Sequence, residues 1–321
     1  ADFETWAVAN ISGTVAKTDE MLPYEYARSA LKLGLQLGKE LGANPFKFGM
    51  IGSSDTHTAL ATTREENYFG KYQHTEPSND RHNIDVIPAD DPALRILTAQ
   101  ESAAGLHAVW ARENTRGAIF DAMQRKEVYA TTGTRIRVRL FAGWDFQADE
   151  VDRPDFAVEG YRRGVPMGGD LNLPEAASQE SAPRFMIRAL RDPDGANLDR
   201  VQVIKGWLDG EGQTHERIYD VALSGGRETD ANGRCKEPVG NTVDVKTASY
   251  TNSIGAALLS AHWEDPDFDP AEHAFYYVRV LEIPTPRWTT YDAYRFGVKP
   301  PTMVPTTVQD RAYTSPVWYT P

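Results

Sequence analysis

Cysteine is almost missing. The 321 residues contain one, Cys235, in the polar stretch DANGRCKEP. One cysteine excludes a disulfide within the chain and a zinc cluster built from thiolates. No histidine lies near it in sequence, so it reads as a loop thiol without a role. An excess of basic charge is lacking as well. There are 34 Lys+Arg against 46 Asp+Glu, a net charge of -12. Proteins that grip nucleic acid through its phosphates need a basic surface, so no nucleic-acid partner is expected. No apolar run approaches the roughly 18 residues that span a bilayer, so no membrane insertion is expected. The opening stretch ADFETWAVANISG has neither the basic nor the apolar region of a signal peptide. Any such signal would lie upstream, and localisation stays open between periplasmic or secreted and cytoplasmic. Hydrolase signatures are absent too: there is no G-x-S-x-G elbow, no H-E-x-x-H and no H-x-H pair.

What is present falls into three stretches. In the first, LPYEYARSALKLGLQLGKELG carries apolar residues at Tyr26, Ala30, Leu33, Leu37 and Leu41, the spacing of a helix face. Tyr24, Ala27, Leu31 and Leu35 form a second stripe beside it. Pro23 suits the first turn and Gly42 the C-terminal cap. FKFGMIG then reads as a short buried strand, and helix, tight loop and buried strand together suggest an α/β barrel or parallel sheet. Residues 61–100 are polar and without period, a long loop. ENTRGAIFDAMQRKE is a second helix with Ile119, Ala122 and Met123 inward, and VYATTGTRI closes the unit.

From residue 135 the pattern changes. RIRVRLFAG, RFMIRAL, RVQVIKGWLD, HERIYDVAL, NTVDVKTASY, AALLSAHWE and AFYYVRVLEI are strand-like, with Ile136, Val138 and Leu140 alternating against Arg135, Arg137 and Arg139. Seven such strands between Gly, Pro, Asn and Asp clusters predict an antiparallel β-sandwich over 135–283. Residues 284–321 are rich in Pro, Tyr and Trp with no period, and predict an extended strap packed over the domains.

The candidate chemistry sits in GMIGSSDTHTAL. On an extended segment Asp55 and His57, two residues apart, point to one side and can share a metal ion. Zinc, manganese and iron all accept carboxylate and imidazole donors. SSDT is also a good helix N-cap sequence, with Asp55 as the cap. Glu113 and Arg116 flank the second helix, where an arginine can grip an anionic substrate or form a surface salt bridge. Arg287 and Trp288, between prolines, either line an ester-binding pocket or staple the tail by a cation–π contact. His74 and His82 in the polar loop read as solvated.

Several long stretches, taken in order, resemble one bacterial family, domain of unknown function 3604. They are YEYARSALKLGLQL, NPFKFGMIGSSDTHTAL, VWARENTRGAIFDAMQRKEVYATTGTRIRVRLFAGWDF, GVPMGGDL, DRVQVIKGWLD, VGNTVDVKTASYTNSIGA and AFYYVRVLEIPTPRWTTYDA. That family resembles the polymerase-and-histidinol-phosphatase (PHP) superfamily of metal-dependent hydrolases. The resemblance implies a distorted β/α barrel with metals at the strand ends, and places Asp55 and His57 in its last ligand motif. The barrel's opening His-x-His is not here. The expected fold is therefore α+β: the C-terminal part of a PHP-like barrel over 1–134, then the sandwich and strap. The expected function is part of a metal-dependent hydrolase of phosphate, phosphonate or sulfate esters, with a zinc, manganese or iron cofactor. Its expected partners are a small anionic ester and a missing N-terminal half of the same protein. Alone, the chain is expected to be inactive and to hold metal weakly or not at all. The alternative is a non-enzymatic module that binds carbohydrate or a protein partner, with Asp-x-His as a relic.

Overall fold

The first helical period becomes α1, Ala27–Leu41. Gly42 ends it in the left-handed region at φ 73°, where a residue without Cβ carries no steric cost. Pro23 falls in a separate 3-10 turn, Leu22–Tyr24, ahead of the helix. Of the two apolar stripes, the second is inside: Leu31 and Leu35 are buried, while Leu33 and Leu41 are exposed. The buried stripe packs on the large sheet against Ile204, Leu208, Phe275, Tyr277 and Trp318. The computed structural model describes residues 8–10, 12–103, 105–173 and 181–321.

FKFGMIG does not form a strand. Met50 N–H donates to the Ser315 hydroxyl at 3.0 Å, and the Ser53 carbonyl accepts from Gly105 N–H at 2.8 Å, contacts too sparse for a ladder. The approach is close: a Cβ on Gly52 would stand 2.4 Å from the Leu106 carbonyl. The loop over 61–100 contains short 3-10 turns and one small hairpin of β1 (Asp85–Ile87) and β2 (Ile96–Leu97). β3 (Leu106–Val109), α2 (Arg116–Gln124) and β4 (Val128–Thr131) follow. The Thr115 hydroxyl caps α2 by accepting from Ala118 N–H. Ala122 is buried there, but Met123 faces solvent, a correction to its inward placement. β3 and β4 pair antiparallel, not as the parallel strands of a β/α repeat.

The strands beyond 135 are β5 (Arg137–Gly143), β6 (Gly164–Pro166), β7 (Asp170–Leu171), β8 (Arg184–Leu190), β9 (Leu198–Leu208), β10 (Thr214–Leu223), β11 (Leu258–Glu264) and β12 (His273–Glu282). α3 (Phe156–Arg163) precedes β6. NTVDVKTASY is not a strand. It folds back through one Asp244–Ser249 bridge, with the Asp244 carboxylate accepting from Lys246 N–H. Local side-chain bonds of this kind offer the backbone an alternative to a ladder.

The tail is more regular than a strap. It holds β13 (Thr285–Pro286), α4 (Trp288–Phe296), β14 (Thr307–Val308), β15 (Arg311–Thr314) and β16 (Val317–Tyr319). A large sheet of order β10-β9-β12-β15-β4-β3 includes β16 and β7, and a second has order β11-β8-β5-β6. The fold is thus mixed α/β with mainly antiparallel sheets. The large sheet draws strands from each of the three segments expected from sequence. Val138, Leu140, Phe185 and Ile187 of the smaller sheet share one apolar core with Val201, Val203, Tyr276 and Val278 of the larger.

Candidate functional site

Asp55 is one of three non-glycine residues with positive φ among those described, at 50°. The segment is therefore bent at Asp55 and is not extended. Asp tolerates this region better than most residues, and such strain collects at functional positions. Local bonds hold the bend. Asp55 N–H donates to the Ser53 hydroxyl at 3.2 Å, and His57 N–H donates to the Lys71 carbonyl at 2.8 Å. No helix starts here, so Asp55 caps nothing.

The Asp55 carboxylate is about half exposed and accepts from the Lys71 ammonium at 3.2 Å; Lys71 itself is buried. The His57 ring stacks on Tyr72 with centroids 4.4 Å apart, and Tyr72 stacks on His74 at 5.6 Å. Behind them lies Glu101, fully buried. Its Oε2 accepts from the Tyr68 hydroxyl at 2.8 Å, and its Oε1 has no hydrogen-bond partner. Burial pushes the Glu101 carboxyl above its ordinary value. The Tyr68 hydrogen bond and the Lys71 charge pull it down, and the Asp55 charge pushes it up. Burial likewise raises the Tyr68 phenol.

Arg287 and Trp288 hold this cluster from behind. Both are buried, and the Arg287 Nη2 and Trp288 indole N–H both donate to the Glu101 carbonyl at 2.8 Å. The Arg287 guanidinium lies 5.4 Å from the Trp288 ring. A second arginine, Arg81, stands 4.6 Å over the same ring and forks onto Asp292 through Nε at 2.5 Å and Nη2 at 3.0 Å. Glu65 accepts from Trp288 N–H at 2.5 Å and so places a carboxylate on the N-terminus of α4. Glu113 and Arg116 are exposed near the N-terminus of α2, and no contact joins either to the cluster.

Lys71, Tyr68, Tyr72 and Glu101 carry no spacing signal in the sequence. The donor chemistry of Asp55, His57 and the unpartnered Glu101 oxygen suits a divalent transition metal. Among the described residues, no three His, Cys, Asp or Glu side chains are arranged to hold one ion. Asp55 and His57 thus supply two donor side chains, and the described residues supply no third in reach of both.

A second polar cluster surrounds a cavity of about 50 Å³ lined by Arg64, Thr134, Asp192, Glu282, Tyr291 and Asp310, among others. Arg64 reaches Asp192 at 3.5 Å and Asp194 at 3.4 Å. Thr134 donates to Glu282 at 2.5 Å, and Thr132 to Asp310 at 2.6 Å. Burial raises both carboxyls, Asp310 to about 6 and Glu282 well above its usual range, each pushed further by acidic neighbours.

A family model described as "Protein of unknown function (DUF3604)" matches residues 1–321. The chain belongs to this family. No curated protein and no solved structure matches it. In this family member, the segment with Asp55 and His57 faces a loop cluster fixed by residues from α4.

Proposed function

We propose that the Asp55–His57 cluster is one side of the centre of a metal-dependent hydrolase acting on phosphate, phosphonate or sulfate esters. The observation that carries this reading is the strained, half-exposed Asp55, whose charge bears on the buried Glu101 carboxyl, one oxygen of which lacks a hydrogen-bond partner. A zinc, manganese or iron ion bound there would supply an activated water and draw charge from the ester. Asp55 and His57 would hold it, with the remaining ligands from outside the described residues. Lys71 supplies positive charge for an anionic ester. Arg287 and Trp288 position Glu101 through its carbonyl, and Glu113 and Arg116 are outlying candidates for substrate contact. In this reading the described part of 1–134 is the end of a PHP-like barrel, and the two facing sheets are a β-sandwich.

The test is elemental analysis of the full-length protein, then an ester panel with the metal found. A transition metal is expected at near-stoichiometric level, reduced at least tenfold by Asp55→Ala and by His57→Ala. A metal-free full-length protein, or unchanged metal content in both variants, sinks the reading. The chain alone is expected to be inactive. One observation favours the second reading, a binding module for carbohydrate or a protein partner with a relic Asp-x-His: the Lys71 ammonium already neutralises Asp55.

A further inference from the structure

Strand β12 alternates. Ala274, Tyr276, Val278 and Val280 enter the core shared by the two sheets, while Phe275 and Tyr277 pack under α1. Arg279 continues this second row. Its cross-strand neighbours are Gln202 on β9 and Tyr313 on β15. Arg279 is fully buried. Its Nε donates to Gln202 Oε1 at 2.8 Å, but neither Nη1 nor Nη2 has a hydrogen-bond partner.

No carboxylate among the described residues pairs with Arg279. Asp220 is linked to it only through the Gln202 amide, which donates to the Asp220 Oδ1 at 2.6 Å. That carboxylate already accepts from Cys235 N–H at 2.8 Å and pairs with Arg234 and Arg200. Burial disfavours the charged Arg279 guanidinium most; Tyr313 and Tyr277 oppose this, and the charges of Arg28 and Arg311 add to it. Arg28 is engaged by the Tyr277 hydroxyl and Glu216. A buried guanidinium left without a counter-charge is among the costliest groups a fold can hold. Its two free N–H edges form a fork suited to two oxygens of one oxyanion.

We infer that Arg279 is the anchor of a buried site for a small oxyanion of the carboxylate, phosphate or sulfate type, on the α1 side of the large sheet. This goes beyond the hydrolase reading and does not depend on Asp55 or His57.

The test is calorimetric titration of the whole chain with inorganic phosphate and, separately, with acetate at constant ionic strength, for wild type, Arg279→Met and Arg279→Lys. Saturable one-to-one binding of at least one anion is expected. It should weaken at least tenfold in Arg279→Lys and vanish in Arg279→Met, which unfolds no earlier than wild type without the anion. Phosphate binding marks a free tetrahedral anion as the ligand, and acetate binding alone marks a carboxylate. No saturable binding by wild type, or equal binding by Arg279→Lys, overturns the inference; these two readouts stand even where Arg279→Met does not fold.

Discussion

Replacing Asp292 with alanine should unfold the site without touching it. Arg81 is about 1% exposed. Asp292 takes two of its N–H groups, and the carbonyls of Thr75 and Tyr68 accept from Nη1 at 3.1 Å and Nη2 at 2.8 Å. Removing one member of a buried ion pair costs about 3–5 kcal/mol, because the other charge stays buried. The two carbonyls remain, so the expected loss is at the low end, about 3 kcal/mol. Burial outweighs the Arg81 charge and raises the Asp292 carboxyl, so the pair itself is a poor source of stability. The double variant Arg81→Met with Asp292→Leu should therefore recover much of the loss, less about 1 kcal/mol for the cation–π contacts to Tyr68 and Trp288. Urea unfolding of wild type, Arg81→Met, Asp292→Leu and the double variant supplies the cycle, with Asp292→Ala measured beside it. Hydrogen exchange over residues 65–83 should rise in Asp292→Ala before the sheets open. A loss below about 1 kcal/mol, or a double variant as unstable as the sum of the singles, would refute the reasoning.

The Glu282–Asp310 pair predicts a pH effect of definite sign. Both carboxyls are raised in the folded state, Asp310 to about 6, so the folded chain keeps protons that the unfolded chain releases. Stability from this pair is absent above the folded value and grows as pH falls toward the ordinary carboxylate range, by about 3 kcal/mol from Asp310 alone. Glu216 and Asp220, whose carboxyls are lowered, act in the opposite sense. The readout is thus the difference between wild type and Glu282→Gln: the variant should gain on wild type at pH 7.5 and lose that lead by pH 5, and a lead that does not change with pH contradicts it. On α1, Leu31→Ala should cost about 2–5 kcal/mol and Leu33→Ala less than about 0.5 in denaturant unfolding. Equal losses would mean that the opposite face is buried.

The strands around Ile136, Val138 and Leu140 were legible because a period of two survives wherever one face meets a core and the other meets water. Helix α1 was legible by its period and by Gly42, but its orientation was not. Two apolar stripes of similar strength compete, and only the sheet beneath chooses Leu31 and Leu35. Asp55 and His57 could be singled out by their chemistry and spacing. Their surroundings could not, because Lys71 and Glu101 come from a stretch without period.

Composition by itself determined the acidic charge and the lack of a disulfide within the chain, and local pattern determined the longer strands β5 and β8 to β12. Tertiary structure alone decided that the tail contains α4, whose N-terminus is met by the Glu65 carboxylate from 223 residues away. It alone closed the loop over the site, through Arg81 and Asp292, 211 residues apart. It also left Arg279 buried without a counter-charge. Periodicity records which face of an element is apolar. It carries no record of a polar bond between distant segments, and those bonds shape this site.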